Sequence, residues 1–382
     1  MRRLRHRSSA LVLPVLLAIA SFALSVTARA EDLVSQLEEF LETRVQRDRF
    51  SGSILVARDD KVLVRRGYGM ANLEHDVPNT PETKFRLGSI TKQFTAMAVM
   101  ILQEQGKIDV HEKIKKYLPD APPAWDEITV HHLLTHTAGI PSFTGFADYP
   151  TMMRRHMTLE NLVASFKDKP LEFKPGERFA YSNSGYVLLG LLIEKVSGKP
   201  YASVLQASIF EPLGMKATGY DNPLPVLKHR ASGYSGPGPF RVNSSFIDMT
   251  VPHAAGALYS TVDDLFLWDQ ALLTETLVPK AAREAMFTPD KKNYGYGWGI
   301  TKLFGRRTVS HGGGINGFVT HLLRFPDDGV CVVVLSNVEG TPVGALAEDL
   351  AAVTLGEKPK HTGERKDEAS SRKGASELKG KP

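Results

Sequence analysis

The stretch SGSILVARDDKVLVRRGYG, residues 51–69, sets the fold reading. Two runs rich in Ile, Leu and Val flank Asp59-Asp60, so the segment predicts two strands around a tight turn. Matching strands lie at the other end of the chain. From Tyr294 onward YGYGWGI, RTVSH, GFVTHLLRF and VCVVVLSN follow one another, and Pro326-Asp327-Asp328-Gly329 joins the last two with a hairpin signal. Helices frame both groups. Asp32 to about Gln46 places Leu33, Leu37, Phe40 and Leu41 at helical spacing. TPVGALAEDLAAVTL predicts a closing helix with Thr341 as N-cap and Pro342 at the first helical position. Between the two ends, roughly 81–285, the pattern is mostly helical and broken by Pro/Gly loops, of which HRASGYSGPGPFRVNSS (229–245) is the clearest. The expected fold class is α/β (α+β). One antiparallel sheet is built from both termini (about 31–80 and 286–355) and flanked by helices, with a mostly helical subdomain (about 81–285) inserted. There is no internal repeat.

The 382 residues, 42% hydrophobic, suffice for one large domain or two intimately packed ones. Residues 1–30 begin with arginines, continue in an apolar run from Leu11 to about Leu24, and end in Ala28-Arg29-Ala30. That layout is a secretory signal peptide cleaved near Ala30, its apolar core being short for a membrane span. Export to the periplasm or secretion is the expectation, and an uncleaved N-terminal anchor is the plainer alternative. No cysteine follows the apolar run, which leaves no lipoprotein cleavage site. The formal charge of +5 sits at the ends: residues 1–30 carry +5 and residues 356–382 carry +3, leaving −3 on the body. A body of that charge has no bias toward nucleic acid. Cys331 is the single cysteine, so no intrachain disulfide can form, and its apolar strand setting marks a buried, inert thiol. From Gly356 the tail has no aromatic residue and one large aliphatic, Leu378, and is expected to be disordered. Its basic charge would suit anionic cell-wall polymers, with a plain solvated tail as the simpler reading.

The chemistry centres on FRLGSITKQF, Phe85 to Phe94, where Ser89 and Lys92 stand three residues apart. The pattern alone is weak, since Ser370/Lys373 and Ser376/Lys379 repeat it in the tail. Context separates the first pair. Phe94, Met97, Ala98 and Ile101 follow at helical spacing and Gly106 ends the helix, so Lys92 shares a face with Ser89. Burial would lower the lysine pKa and leave a neutral amine able to take the serine proton. The helix start would add a backbone N–H and a positive dipole end for a developing oxyanion. A serine that merely caps a helix is the competing reading. Two more stretches bear on it. KPGERFAYSNSGYVLLGLLIEKVSG presents Tyr181-Ser182-Asn183 between a Pro-Gly turn and an apolar helix, where a hydroxyl and an amide can project into a cleft. A buried, locally bonded tyrosine is the bland alternative. RTVSHGGGINGF ends a short strand in His311 and three glycines, which permit close backbone approach to a ligand.

Taken in order, FRLGSITKQFTA, LLTHTAGI, KPGERFAYSNSGYVLLG, YGYGWG and SHGGGINGF resemble the serine β-lactamase and penicillin-recognising family, in particular its class C β-lactamase-like esterases and D-aminopeptidases. The likeness covers about residues 34–355. It implies Ser89 as acylated nucleophile, Lys92 as its base, Tyr181 as proton shuttle to the leaving group and Asn183 as a ligand of the substrate amide. It further implies that His311-Gly312-Gly313 is the strand-borne third motif, with Gly313 and Gly314 beside the substrate and the N–H groups of Ser89 and Gly314 forming the oxyanion hole. The usual lysine at the head of that motif is His311 here. A mostly neutral imidazole grips a carboxylate less well, which turns the reading from antibiotic hydrolysis toward ester or D-amino-acid substrates.

Other features are absorbed more simply. Gly312, Gly314 and Gly317 fit G-x-G-x-x-G, but a strand pattern follows where a dinucleotide site needs a helix. His132 and His136 stand four apart, yet no glutamate follows His132 and Thr137-Ala138-Gly139 reads as a helix end, so polar capping is preferred to zinc. The aromatics of YGYGWG read as core and cleft wall. The expectation is a serine hydrolase without metal or cofactor that acts on a small ester, peptide or β-lactam. A class C-like β-lactamase or peptidoglycan DD-carboxypeptidase is the alternative enzyme, and a non-catalytic peptidoglycan or peptide binder the alternative class.

Overall fold

A computed structural model describes residues 32–236 and 240–361. The signal-peptide reading and most of the basic tail lie outside them. Residues 32–48 form helix α1. Gly52–Arg58 (β1) and Lys61–Tyr68 (β2) form the expected hairpin around Asp59-Asp60. The late strands are Gly299–Leu303 (β3), Arg306–Ile315 (β4), Phe318–Phe325 (β5) and Val330–Ser336 (β6). All six form one antiparallel sheet in the order β3-β4-β5-β6-β1-β2, with the two termini meeting where β1 pairs β6 (Ile54 opposite Val334).

Strand β6, VCVVVLS, is buried along its whole length because both faces of the sheet are covered. Val330, Val332 and Val334 join Ile54, Val56, Leu37, Leu41 and Leu350 in the layer under the terminal helices. Cys331, Val333 and Leu335 point the other way, into the larger core shared with the inserted region. Each such fully buried aliphatic side chain contributes roughly 1.5–3 kcal/mol. The closing helix, Val343–Leu355, packs on β5 and β6 beside α1, and Arg44 of α1 reaches its Asp349 at 2.5 Å.

The inserted region supplies three helices used below: Thr91–Glu104 (α2), Val130–Leu134 (α3) and Asn183–Ser197 (α4). It is less purely helical than the pattern suggests. Phe85–Arg86, Leu258–Ser260 and Gly219–Tyr220 form a small sheet, clamped by buried Asp221, which accepts from Arg86 at 2.7 Å and Arg230 at 2.6 Å.

Five boundaries differ from expectation, each for a local reason. Within YGYGWGI only Gly299-Ile300 join the sheet, because the Gly295 N–H bonds Trp298 O and the Tyr296 N–H bonds Met286 O, away from the ladder. Strand β4 does not stop at His311 but runs through the glycines, with Gly313 opposite Thr320 and Gly314 opposite Val319. The closing helix starts one residue later than expected, with Pro342 as N-cap, since the Thr341 hydroxyl donates to Val338 O at 2.8 Å. The loop 229–245 contains a short ladder, Tyr234–Ser235 against Val242–Asn243. The tail is not free from Gly356 onward: Asp349 accepts from the N–H groups of Lys360 (2.8 Å) and His361 (3.0 Å), and the His361 carbonyl accepts from Arg44 (2.5 Å). Among the described residues, no helix is long and apolar enough to cross a membrane.

Candidate active site

Helix α2, TKQFTAMAVMILQE, is buried on almost every side, with 11 of its 14 residues inside. That environment decides the state of Lys92. The side chain is 0% exposed, and desolvation alone drives its pKa well below the ordinary 10.5; no carboxylate offsets it. Its Nζ donates to Ala255 O at 2.7 Å and Asn183 Oδ1 at 2.9 Å, and lies 3.1 Å from Ser89 Oγ. Two of the three partners are carbonyl oxygens that can only accept. A neutral amine uses both its protons on them and turns its lone pair to the serine hydroxyl.

Ser89 sits one step before α2, in the 3-10 turn Gly88–Ile90, and is half-buried at the cleft. Strand β4 lies against this turn at a separation that only glycine allows. Gly88 has φ +54, and a Cβ there would stand 2.8 Å from Gly314 N. A Cβ on Gly313 would meet Leu87 O at 1.9 Å, the carbonyl that accepts from Thr320 Oγ1 at 2.8 Å. Gly88, Ser89 and Gly314 thereby line one cavity, shared with Asn183. A carbonyl carbon beside Ser89 Oγ has backbone of both β4 and the 3-10 turn within reach.

Tyr181 and Asn183 flank Ser182, whose hydroxyl caps α4 by accepting from the Gly185 N–H at 3.3 Å. The Tyr181 hydroxyl shares a hydrogen bond with Ser89, and burial of that end pushes its pKa up, although 38% of the residue is exposed along the cleft wall. Lys92 Nζ lies 4.8 Å from the ring centroid. Ser89, Lys92, Tyr181 and Asn183, distant in sequence, are thus brought together.

His311 is half-buried beside Tyr181, their ring centroids 6.3 Å apart. Its Nδ1 lies 2.5 Å from Gly312 O, which only accepts, so Nδ1 carries the proton; Nε2, 2.9 Å from the Tyr294 hydroxyl, then accepts. Burial, with Lys92 nearby, takes its pKa down to about 3. The imidazole is a neutral wall group with both nitrogens engaged, and it offers a carboxylate no charge.

His136, set aside with His132 as polar capping at a helix end, proves central. It follows α3 at φ +58, its carbonyl accepts from the Ala180 N–H at 2.9 Å, and its Nδ1 accepts from the Ser182 N–H at 3.1 Å. Its ring lies 4.2 Å from the Tyr181 ring and 4.8 Å from that of Tyr294. His136 therefore brackets Tyr181 from both neighbours and from the face. His132 is apart from it, its Nδ1 accepting from the Thr129 N–H in a capping box. Among the described residues there is no cluster of three side chains able to hold a metal. The partners missed in the sequence, His136, Tyr294 and Ala255, act through ring contacts, long-range hydrogen bonds or a main-chain carbonyl, which no spacing rule reads.

Over 326 residues the chain is 32% identical to penicillin-binding protein 4* of Bacillus subtilis, covering 79% of this chain and 71% of that one. Its fold is similar to that of the octameric penicillin-binding protein homologue from Pyrococcus abyssi (TM-score 0.76, 33% identity, 86% of this chain and 78% of that one). It is also similar to a D-stereospecific amidohydrolase from Streptomyces sp. (TM-score 0.71, 28% identity, 84% and 98%). Residues 30–356 match the Beta-lactamase family as a whole, and the chain belongs to that family.

Proposed function

We propose that this chain is an exported serine hydrolase that cleaves an ester or amide through an acyl-enzyme on Ser89, as an esterase or a D-amino-acid peptidase or amidase. The observation that carries the reading is a fully buried lysine, unpaired with any acid, 3.1 Å from a cleft serine. Neutral Lys92 takes the Ser89 proton as Oγ bonds to the substrate carbonyl carbon. The resulting oxyanion is held by the N–H groups of Ser89 and Gly314. On collapse the carbon–leaving-group bond breaks, and the proton passes from Lys92 through Tyr181 to the leaving atom. Water then bonds to the acyl carbon, the same groups take its proton and deliver it to Ser89 Oγ, and the carbon–Oγ bond breaks to release the acid. Asn183 fixes Lys92 through Oδ1 and leaves its Nδ2 on the cleft side, bonded to Thr144 Oγ1 at 3.1 Å. His136 positions Tyr181. The relative named a D-stereospecific amidohydrolase supports the amide branch. The neutral His311 supports substrates without a carboxylate at that end, and the N-terminal arginine-apolar-Ala-Arg-Ala layout supports export. A fluorophosphonate probe tests the reading. Ser89 should be the labelled residue and Ser89→Ala should lose both label and turnover. Label on another residue, or turnover surviving in the alanine variant, contradicts it.

A further inference from the structure

The cavity beside Ser89 has a volume of about 260 Å³, and its composition is informative. Phe143, Tyr149, Ile247 and Ile315 provide its apolar walls, and no Lys, Arg, Asp, Glu or His lines it. Ser89, Thr144, Asn183 and Asn316 add polar atoms, and both ends of the Asn183 amide and the Asn316 Nδ2 are already engaged. Asn183 Oδ1 accepts from Lys92 and its Nδ2 donates to Thr144 Oγ1, while Asn316 Nδ2 donates to Ser245 O at 3.0 Å. Above Gly314 there is open room, since a Cβ built there meets nothing within 4 Å. Recognition inside this space therefore falls to shape, apolar contact and neutral hydrogen bonding, with no charged side chain to contribute.

Which part of the substrate enters follows from where the proton donor stands. A leaving group has to meet a proton as its bond breaks, and Tyr181, the group assigned that task, is not among the lining residues of the cavity. The leaving group departs on the Tyr181 side of Ser89. The acyl group then points the other way, between Phe143, Tyr149 and Ile315. The wall is firm: Phe143 packs edge-on to Tyr149 at 5.9 Å and stacks with Phe166 at 6.3 Å.

We infer that this cavity is an acyl-group pocket selective for compact, uncharged, apolar or aromatic acyl chains, and that it rejects acyl chains bearing a carboxylate. The inference rests on the hydrolase reading above and names the substrate class for that same site. A charge carried into the cavity would lose water with no counter-ion to replace it. Each methylene that enters would add roughly fourfold to the specificity constant, following about 0.8 kcal/mol per buried CH₂.

The test keeps the leaving group constant and varies the acyl chain on the wild-type protein. p-Nitrophenyl esters of acetic, butyric, phenylacetic, 4-methylphenylacetic and 4-carboxyphenylacetic acid are compared by kcat/KM, with Ser89→Ala run in parallel. Butyrate and phenylacetate are expected to exceed acetate by about tenfold. The 4-carboxy ester is expected to fall on the order of a hundredfold below its 4-methyl counterpart. Tyr149→Ala, at a half-buried wall position, should shrink the ratio of phenylacetate to acetate kcat/KM. Equal rates for the 4-carboxy and 4-methyl esters, or a phenylacetate preference unmoved by Tyr149→Ala, overturn the pocket assignment. Turnover that persists in Ser89→Ala overturns the hydrolase reading instead. If the wild type cleaves none of the esters, the pocket is not an ester acyl site, while fluorophosphonate labelling of Ser89 still reports separately on the nucleophile.

Discussion

Two basic side chains are buried in this molecule to the same degree and with opposite consequences. Arg324, on β5, is 1% exposed and meets the Asp269 carboxylate, with its guanidinium also over the rings of Phe287 and Trp298. Lys92, on α2, is 0% exposed; its Nζ bonds only carbonyl and hydroxyl oxygens and lies beside the rings of Tyr181 and Tyr186. A buried charge is tolerable when paired; an unpaired one is neutralised by losing its proton. The first arrangement gives a structural ion pair behind the sheet. The second gives a base in the cleft. Burial alone distinguishes nothing; the partner decides.

The same substitution at both positions should break the symmetry most visibly. Lys92→Met is expected to reduce the rate of Ser89 acylation by several orders of magnitude without lowering the unfolding midpoint, because the neutral amine costs stability relative to its solvated form. The sign follows from its depressed pKa: below pH 10.5 the unfolded chain gains a proton that the folded one refuses. Arg324→Met should do the reverse, costing about 3–5 kcal/mol in chemical denaturation by stranding Asp269, while folded molecules still acylate. Equal destabilisation by the two variants would erase the distinction.

His136 sharpens the comparison one step further out. His136→Asn keeps an acceptor near the Ser182 N–H and tolerates the positive φ, but removes the ring against Tyr181. A fall of roughly tenfold to a hundredfold in kcat with KM little changed is expected. His136→Phe, which keeps a ring and loses the acceptor, should fall further. Parallel losses in KM alone would place His136 in substrate binding instead.

The smallest effect concerns the neutral histidines, which share the fate of Lys92. Burial takes His253 and His321 down to about 4 and His311 to about 3. Their folded values lie below the unfolded value of about 6.5, so their stabilising contribution is complete above that pH and is lost as the pH falls. Stability should therefore decline as the pH falls below about 6.5, read as a falling denaturant midpoint between pH 7 and 5. For the same reason, KM for carboxylate-bearing substrates should be flat through pH 6.5. A titration there would show an imidazolium at His311.

The parts of the fold that follow from side-chain period were legible in the sequence. VCVVVLS and the 51–69 hairpin declare a sheet made from the two chain ends, and TKQFTAMAVMILQE declares a buried helix. Spacing also put Lys92 on the face of Ser89. Long-range backbone geometry was not legible. His311 heads a glycine strand, but the hydroxyl that engages it, Tyr294, comes from a loop that reads as strand. Ala255 enters the site through its carbonyl, and a carbonyl leaves no trace in a residue pattern. The tail composition predicts disorder, yet His361 is held because Asp349 was already committed to Arg44 and had an oxygen to spare.

The protonation state of Lys92 is open to direct measurement through the pH dependence of the single-turnover rate at which a fluorophosphonate acquires Ser89. The rate should hold level on descending through pH 10.5 and drop only far below the ordinary lysine range, when the amine finally takes a proton. A drop centred near pH 10.5 would mean a solvated, charged ammonium at this position, and the serine would then be without its base.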